Sequence, residues 1–220
     1  MNKIIKYSFC CLIASSFSLS LVSDATSKSN AAMISTFNNK VQAKTKSDPT
    51  WKMAGLNKIL ESGDSVRTGS LSRAEIKYSD GTVTRVGSNS LLRIEAHGEK
   101  RTNIKLLVGK LWLKVKKGDG RLEIRTPNAI ASVLGTELLV TNDEKNISHV
   151  TTLDGLVEVT GENGDKTLVK PGEWVEIAPG KNIEKPTKFD WDALKRNEKF
   201  MLDPTFMPKP EEFKDENNWK

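Results

Sequence analysis

The strongest constraint on this chain is a series of short alternating segments, each opened by a glycine. Residues 63–83, GDSVRTGSLSRAEIKYSDGTV, and residues 126–140, TPNAIASVLGTELLV, about forty residues on, are both cut in this way. In DSVRT after Gly63, TVTRV after Gly81, KLWLKV after Gly109, ELLVT after Gly135 and Thr136, LVEVT after Gly155 and EWVEI after Gly172, apolar residues mostly recur at spacing two. Successive side chains leave a strand on opposite faces, so this period over about 4 to 8 residues marks a half-buried strand. Asp80-Gly81 and Asn163-Gly164 are tight-turn dipeptides, because glycine and its small polar neighbour tolerate the positive φ of hairpin turns. The glycines are irregularly spaced, unlike the strict repeat of a propeller or hexapeptide helix. The predicted fold is all-β: a rolled or solenoid-like stack of short strands, with glycine at corners where strands of adjacent layers come close.

The N-terminus decides which residues belong to that fold. Lys3 and Lys6 form a charged start, residues 7–22 an apolar, serine-rich run, and Ser23-Asp24-Ala25 a small-residue cleavage site. Residues 1–25 are therefore expected to be a secretory signal peptide. The alternative is an uncleaved anchor, although sixteen residues fall short of the roughly 20 that a spanning helix needs. The expected location is periplasmic or secreted, with no stable membrane span after cleavage. Cys10 and Cys11 both lie in this segment, so the mature chain would carry no disulfide, cysteine nucleophile or zinc-thiolate site. Removing Lys3, Lys6 and Asp24 changes a net charge of +6 to +5. Residues 26–40, rich in Ser, Ala, Asn and Thr, read as a linker with too little apolar surface to offset the entropy of ordering. Residues 41–183 read as the β domain and 184–220 as a C-terminal extension.

Several ordered motifs in the β domain carry a family resemblance. They are Leu60-x-x-Gly63-Asp64-x-Val66-x-Thr68-Gly69, then Ser72-Arg73-Ala74 and Asp80-Gly81, then Gly109-x-Leu111. Thr126-Pro127-x-Ala129-x-Ala131-x-Val133-x-Gly135-Thr136 follows, then Leu153-x-Gly155-x-Val157-x-Val159 and Pro171-Gly172-Glu173. Over about residues 40–180 the chain resembles the FecR domain family. Leu134 stands where family members often carry arginine. The resemblance implies an extracytoplasmic all-β module, whose best-known relatives relay a signal from an outer-membrane transporter to a cytoplasmic sigma factor. Only six residues precede the apolar run, and no second folded domain is evident after residue 183, so the chain resembles the stand-alone sensor or scaffold members.

Catalysis is not expected. His97 and His149 are the two histidines, no His-x-His cluster is present for a metal, and no Gly-x-Ser-x-Gly elbow occurs. No catalytic residue, metal ligand or cofactor is assigned. The turn residues Gly63, Asp64, Asp80, Gly81, Thr126, Pro127, Gly135, Thr136, Gly155 and Gly172 are read as structural, so their loss would act on stability.

Charge distribution suggests partners. Residues 93–125 hold ten basic and four acidic residues, and residues 126–180 three basic and nine acidic. These blocks are either solvated strand faces or a footprint for an acidic envelope partner or a second copy of the chain, so an oligomer is possible. Export argues against nucleic acid. In LWLKVK, Leu111, Leu113 and Val115 take one face, leaving Trp112, Lys114 and Lys116 on the other; in GEWVEI, Trp174 and Glu176 oppose Val175 and Ile177. Trp112, Lys114, Lys116 and Trp174 are the candidate contact residues for an envelope protein or a cell-wall glycan. Alternatively, both tryptophans lie beneath the C-terminal extension or between layers. In that extension Trp191, Leu194 and Glu198 fall near one helical stripe, with aspartates early and basic residues late, and Pro204 ends it. This short helix is expected to cap the open end of the roll or to act as a docking peptide, and the rest of the tail to be flexible. The reading is a non-enzymatic envelope signalling or scaffold module, the alternative a carbohydrate-binding or cell-wall structural protein.

Overall fold

The computed structural model describes residues 32–97, 101–116 and 121–203. The expected signal segment and the end of the tail lie outside the described residues. Two antiparallel layers account for the strands. The first runs, neighbour beside neighbour, β4 (Ile59–Leu60), β1 (Ala32–Asn38), β6 (Arg73–Tyr78), β7 (Val83–Val86), β9 (Arg101–Lys114), β12 (Glu137–Asn142), β13 (Ser148–Asp154), β16 (Glu173–Ile177) and β17 (Thr187–Lys188). The second runs β3 (Lys52–Met53), β2 (Val41–Lys44), β5 (Ser65–Thr68), β8 (Leu91–His97), β9 again, β10 (Arg121–Arg125), β11 (Ala129–Val133), β14 (Val157–Gly161) and β15 (Lys166–Val169). Only β9 and β10 pair in parallel among these. The arrangement is an open, rolled double layer, the all-β fold expected from the period-two segments.

One core fills the space between the layers. Ile34, Ile76, Leu111, Leu113 and Leu138 from the first layer and Leu92, Ile94, Ile104, Leu106 and Ile124 from the second are fully buried in the same cluster. Each such side chain contributes about 1.5–3 kcal/mol when removed from water. The strands are short because the chain keeps changing layers, and each change needs a sharp corner. Asn39, Gly63, Leu71, Asn89, Gly109, Gly135, Gly155 and Gly172, all at positive φ, stand at these changes. This is why so many strands begin beside a glycine.

Gly109 is the most demanding corner. It was expected to open a strand; instead it sits inside β9, which pairs with β8 and β10 before it and with β7 and β12 after it. At φ 101° its missing Cβ would lie 2.5 Å from Ser90 Cα. Only a residue without a Cβ lets this corner of β9 lie against the neighbouring corner at Ser90.

Two further expectations are corrected. The proposed linker 26–40 contains β1, which lies between β4 and β6 with Ala32 and Ile34 fully buried. The Ser, Thr and Asn around it concealed a strand whose own Ile34 is fully buried and whose Phe37 packs against the core. The C-terminal helix exists as α1 (Trp191–Asn197) and α2 (Lys199–Leu202), but it covers a sheet face and not an open end. The structure blunts the sheet margins differently: β3, β4 and β17 are two-residue strands, too short to template much pairing.

Candidate functional site

The outer face of the first layer, opposite the core, gathers the candidate residues. Cross-strand pairing sets a row across it: Glu75, Arg85, Trp112, Leu139, Thr151 and Trp174, each opposite the next. A second row reads Lys110, Thr141, His149 and Glu176. Period two places Leu111 and Leu113 inward and Trp112 and Lys114 outward, as read from the sequence.

Part of this face is occupied by the C-terminal segment. Asp190 caps α1, its Oδ1 accepting from the Asp192 and Ala193 N–H groups at 2.8 and 3.2 Å. From α2, Met201 is buried against Trp112 and Leu139, with Val83, Leu153, Leu194 and Leu202 packed around them. Arg85 fastens the helix end. Its Nη1 donates to the main-chain carbonyls of Met201 at 2.8 Å and Leu202 at 3.2 Å, groups that a helix C-terminus leaves unpaired. The same guanidinium lies 4.1 Å from the Trp112 ring centre, and its Nε reaches Glu75 Oε2 at 3.2 Å. Glu75 also accepts from Ser35 Oγ at 3.0 Å. Lys110 forms an ion pair with Glu198, the residue joining the two helices.

This geometry sorts the candidate residues. Trp112 is 4 % exposed, so it is not a free contact surface; the C-terminal extension covers it, the alternative read from the sequence. Its indole Nε1 donates to Glu137 Oε1 at 3.2 Å. Lys114 and Lys116 are exposed and line a shallow cavity of about 320 Å³ together with Glu137 and Asp154. Lys114 Nζ lies 3.5 Å from Glu137 Oε2, which offsets part of its charge. Trp174 is half-buried beyond the helices and stacks on His149, ring centres 5.4 Å apart, while His149 Nε2 meets Glu176 Oε2 at 3.2 Å. Trp112, Lys114 and Trp174 thus share one face without forming one open patch.

The other motif residues stand at turns and corners. Asp64 is buried and its carboxylate accepts from the N–H groups of Lys46 and Glu61, both at 3.0 Å. Asp80 Oδ1 accepts from Thr82 N at 2.7 Å, closing the hairpin at Gly81. Buried Thr126 accepts from Ala129 N at 3.1 Å and from Ser148 Oγ at 2.8 Å, beside exposed Pro127. Thr136 Oγ1 donates to the Leu134 and Leu156 carbonyls, both at 3.3 Å, where Gly155 leaves room for it. Gly172 N donates to Thr152 O at 3.0 Å. Leu134 and Leu156 are exposed, at 60 % and 47 %.

The two histidines sit on different layers, at the end of β8 and in β13. His97 Nδ1 is 2.8 Å from Thr102 Oγ1, and burial holds its ring below the ordinary histidine range, against the opposing pull of Asp80. Among the described residues no group of three or more His, Cys, Asp or Glu converges to hold a metal, and no helix is long and apolar enough to cross a membrane.

Sequence reasoning missed Arg85, Glu75, Lys110 and Met201, and placed Glu198 on the helical stripe without its partner. A signal existed for Arg85: a long cation in the middle of TVTRV, on the same face as Val83, needs a partner when that face is covered.

Comparison with known proteins places part of this framework. Residues 64–158 match the family model described as FecR protein. Two crystal structures, at 1.65 and 2.50 Å resolution, of a protein from Parabacteroides distasonis provisionally assigned as an anti-sigma factor share the fold. For each the TM-score is 0.51 at 18% identity, covering 60% of this chain and 62% of that one. No curated protein matches by sequence.

Proposed function

Because residues 64–158 match the family model described as FecR protein, we propose that this chain is a non-enzymatic signalling or scaffold module of the bacterial envelope that recognises a protein partner. That match supports a regulatory envelope role. The anti-sigma assignment of the fold relative lends that role a precedent, although it describes that protein. Export to the periplasm or beyond is part of the proposal and rests on the charged start and apolar run of residues 1–25.

One observation carries the choice of a protein partner: the outer face of the first layer holds a peptide segment through its main-chain carbonyls. A guanidinium aimed at helix-terminal carbonyls, an aromatic floor and a flanking lysine form a recognition surface for polypeptide. Lys114 and Lys116 extend that surface with positive charge suited to an acidic partner. A cell-wall glycan is the second reading, favoured by Trp174, whose half-buried ring beside Glu176 offers a stacking surface next to a hydrogen-bond acceptor.

Affinity capture from solubilised envelope with the tagged full chain, at low and high salt, tests the proposal. A single protein retained at low salt and lost in Lys114→Glu/Lys116→Glu is the expected result. Retention of glycan alone, abolished by Trp174→Ala and unaffected by salt, overturns it in favour of the second reading. Capture of nothing at either salt also counts against it.

A further inference from the structure

Arg85 and Glu75 are an unusual pair for the outer surface of a sheet. They are 6 % and 9 % exposed, so two charges have left water on the side facing away from the core. Such desolvation is costly unless every hydrogen-bonding group finds a partner. Glu75 alone does not supply enough for the guanidinium; the remaining acceptors are the Met201 and Leu202 carbonyls. The slot is complete only with a helix end seated in it.

The bonds in question go to main-chain carbonyls, which any helix C-terminus offers. Selectivity comes from two side chains of the occupant. Met201 fills the space over Trp112 and Leu139, and Glu198, three residues earlier, reaches Lys110. The slot therefore reads a short helix with an acidic residue three positions before a large, flexible apolar one, ending one residue later.

The present occupant is weakly built. Helices of four and seven residues do not persist alone, and α1 buries none of its residues. The segment holds its shape because the face holds it.

We propose that α1–α2 is an exchangeable occupant, and that the slot formed by Arg85, Trp112, Leu139 and Lys110 is the docking site for a helix of a partner envelope protein carrying this acidic-x-x-apolar terminus. The inference rests on the partner-recognition reading above and says which part of the face does the recognising. A second copy of the chain offers the same segment with no advantage over the tethered one, whose effective concentration is of millimolar order. Displacement requires a better-matched partner helix, which makes the tethered segment a threshold against weak ligands.

A labelled peptide with the sequence of residues 190–203 serves as the probe. The full chain carrying Met201→Ala and Leu202→Ala has a vacated slot and is expected to bind it at least tenfold more tightly than the wild-type chain, with unchanged circular dichroism. Adding Lys110→Glu should reverse that gain, and a peptide carrying Glu198→Lys should restore it. No binding to the vacated chain, or binding indifferent to the charge reversal and its rescue, overturns the proposal. The peptide assay needs no envelope partner. Peptide exchange without capture of any partner would leave the slot specificity standing and sink the partner reading; capture without exchange would do the opposite.

Discussion

Replacing Gly109 by alanine isolates the corner where β9 passes from one layer to the other. Two costs are added there. The backbone is at φ 101°, and holding an L-residue in left-handed space costs about 1–2 kcal/mol. The new methyl would also stand 2.5 Å from Ser90 Cα, a main-chain atom that no rotamer change can withdraw, so β8 and β9 must separate. Overpacking of that kind costs about 1–3 kcal/mol. Separation additionally strains the bond from Lys110 N to Ser90 Oγ, now 2.9 Å. The sum, about 2–5 kcal/mol, is a large share of the roughly 5–15 kcal/mol available to a domain. With a urea dependence of about 2 kcal/mol per M, the midpoint should fall by about 1–2.5 M. Gly164→Ala is the control: its φ is 82°, yet nothing lies within 4 Å of the added methyl, so it bears the backbone cost alone. Equilibrium urea unfolding by circular dichroism of both variants checks the argument. Equal midpoints for the two would refute the claim that the corners at Gly109 and Ser90 press against each other.

Other outcomes follow from the same structure. Asp64→Ala removes the acceptor of two N–H groups beside a buried position and should lower stability by about 2–4 kcal/mol, whereas Asp64→Asn, keeping one acceptor, should lose about half as much; denaturant titration distinguishes them. His97 is held below its ordinary pKa by burial, so the unfolded chain binds the proton more readily than the folded one. Stability should therefore fall as pH drops through and below the ordinary histidine range of about 6.5, and His97→Gln should flatten that part of the profile; an unchanged slope would sink the assignment. Met201→Ala should cost about 2 kcal/mol or less in global unfolding, below the usual range for a buried methionine, because the segment can detach instead. Hydrogen exchange should show faster exchange at the Leu202 and Asp203 amides with the strands unaffected. Faster exchange across β7 and β12 as well would contradict local detachment.

How far the sequence disclosed this molecule differs from element to element. Strand faces were readable wherever apolar residues alternate, as in LWLKVK, because the pleat alone fixes which side chain points inward. Turns at Asp80-Gly81 and Asn163-Gly164 were readable because their chemistry is local. β1 was not, since a register shift between Ile34 and Thr36 breaks the alternation of AMISTFN and its burial comes from β4 and β6, far along the chain. Gly109 announced a special backbone but not its kind: a turn and a corner within a strand both require positive φ. The fate of Trp112 was undecidable from its own strand. Period two assigns it to the outer face; what covers that face is Met201, close to ninety residues away. Arg85 and Lys110 escaped, and Glu198 was read without its partner, for the same reason: each derives its role from a partner that only the folded chain brings near.

Among the described residues β9 is the one strand that both layers share. The strands before it, β1 to β8, and those after it, β10 to β17, each contribute to both layers, but the strand pairings across the boundary run through β9, to β10 and β12. The molecule is thus two halves, contiguous along the chain, hung on a common beam. Damage within one half can stop at that beam, whereas damage to the beam reaches both halves at once. A break elsewhere in the chain would be expected to leave recognisable structure on the far side, while β9 sets how far unfolding is all-or-none.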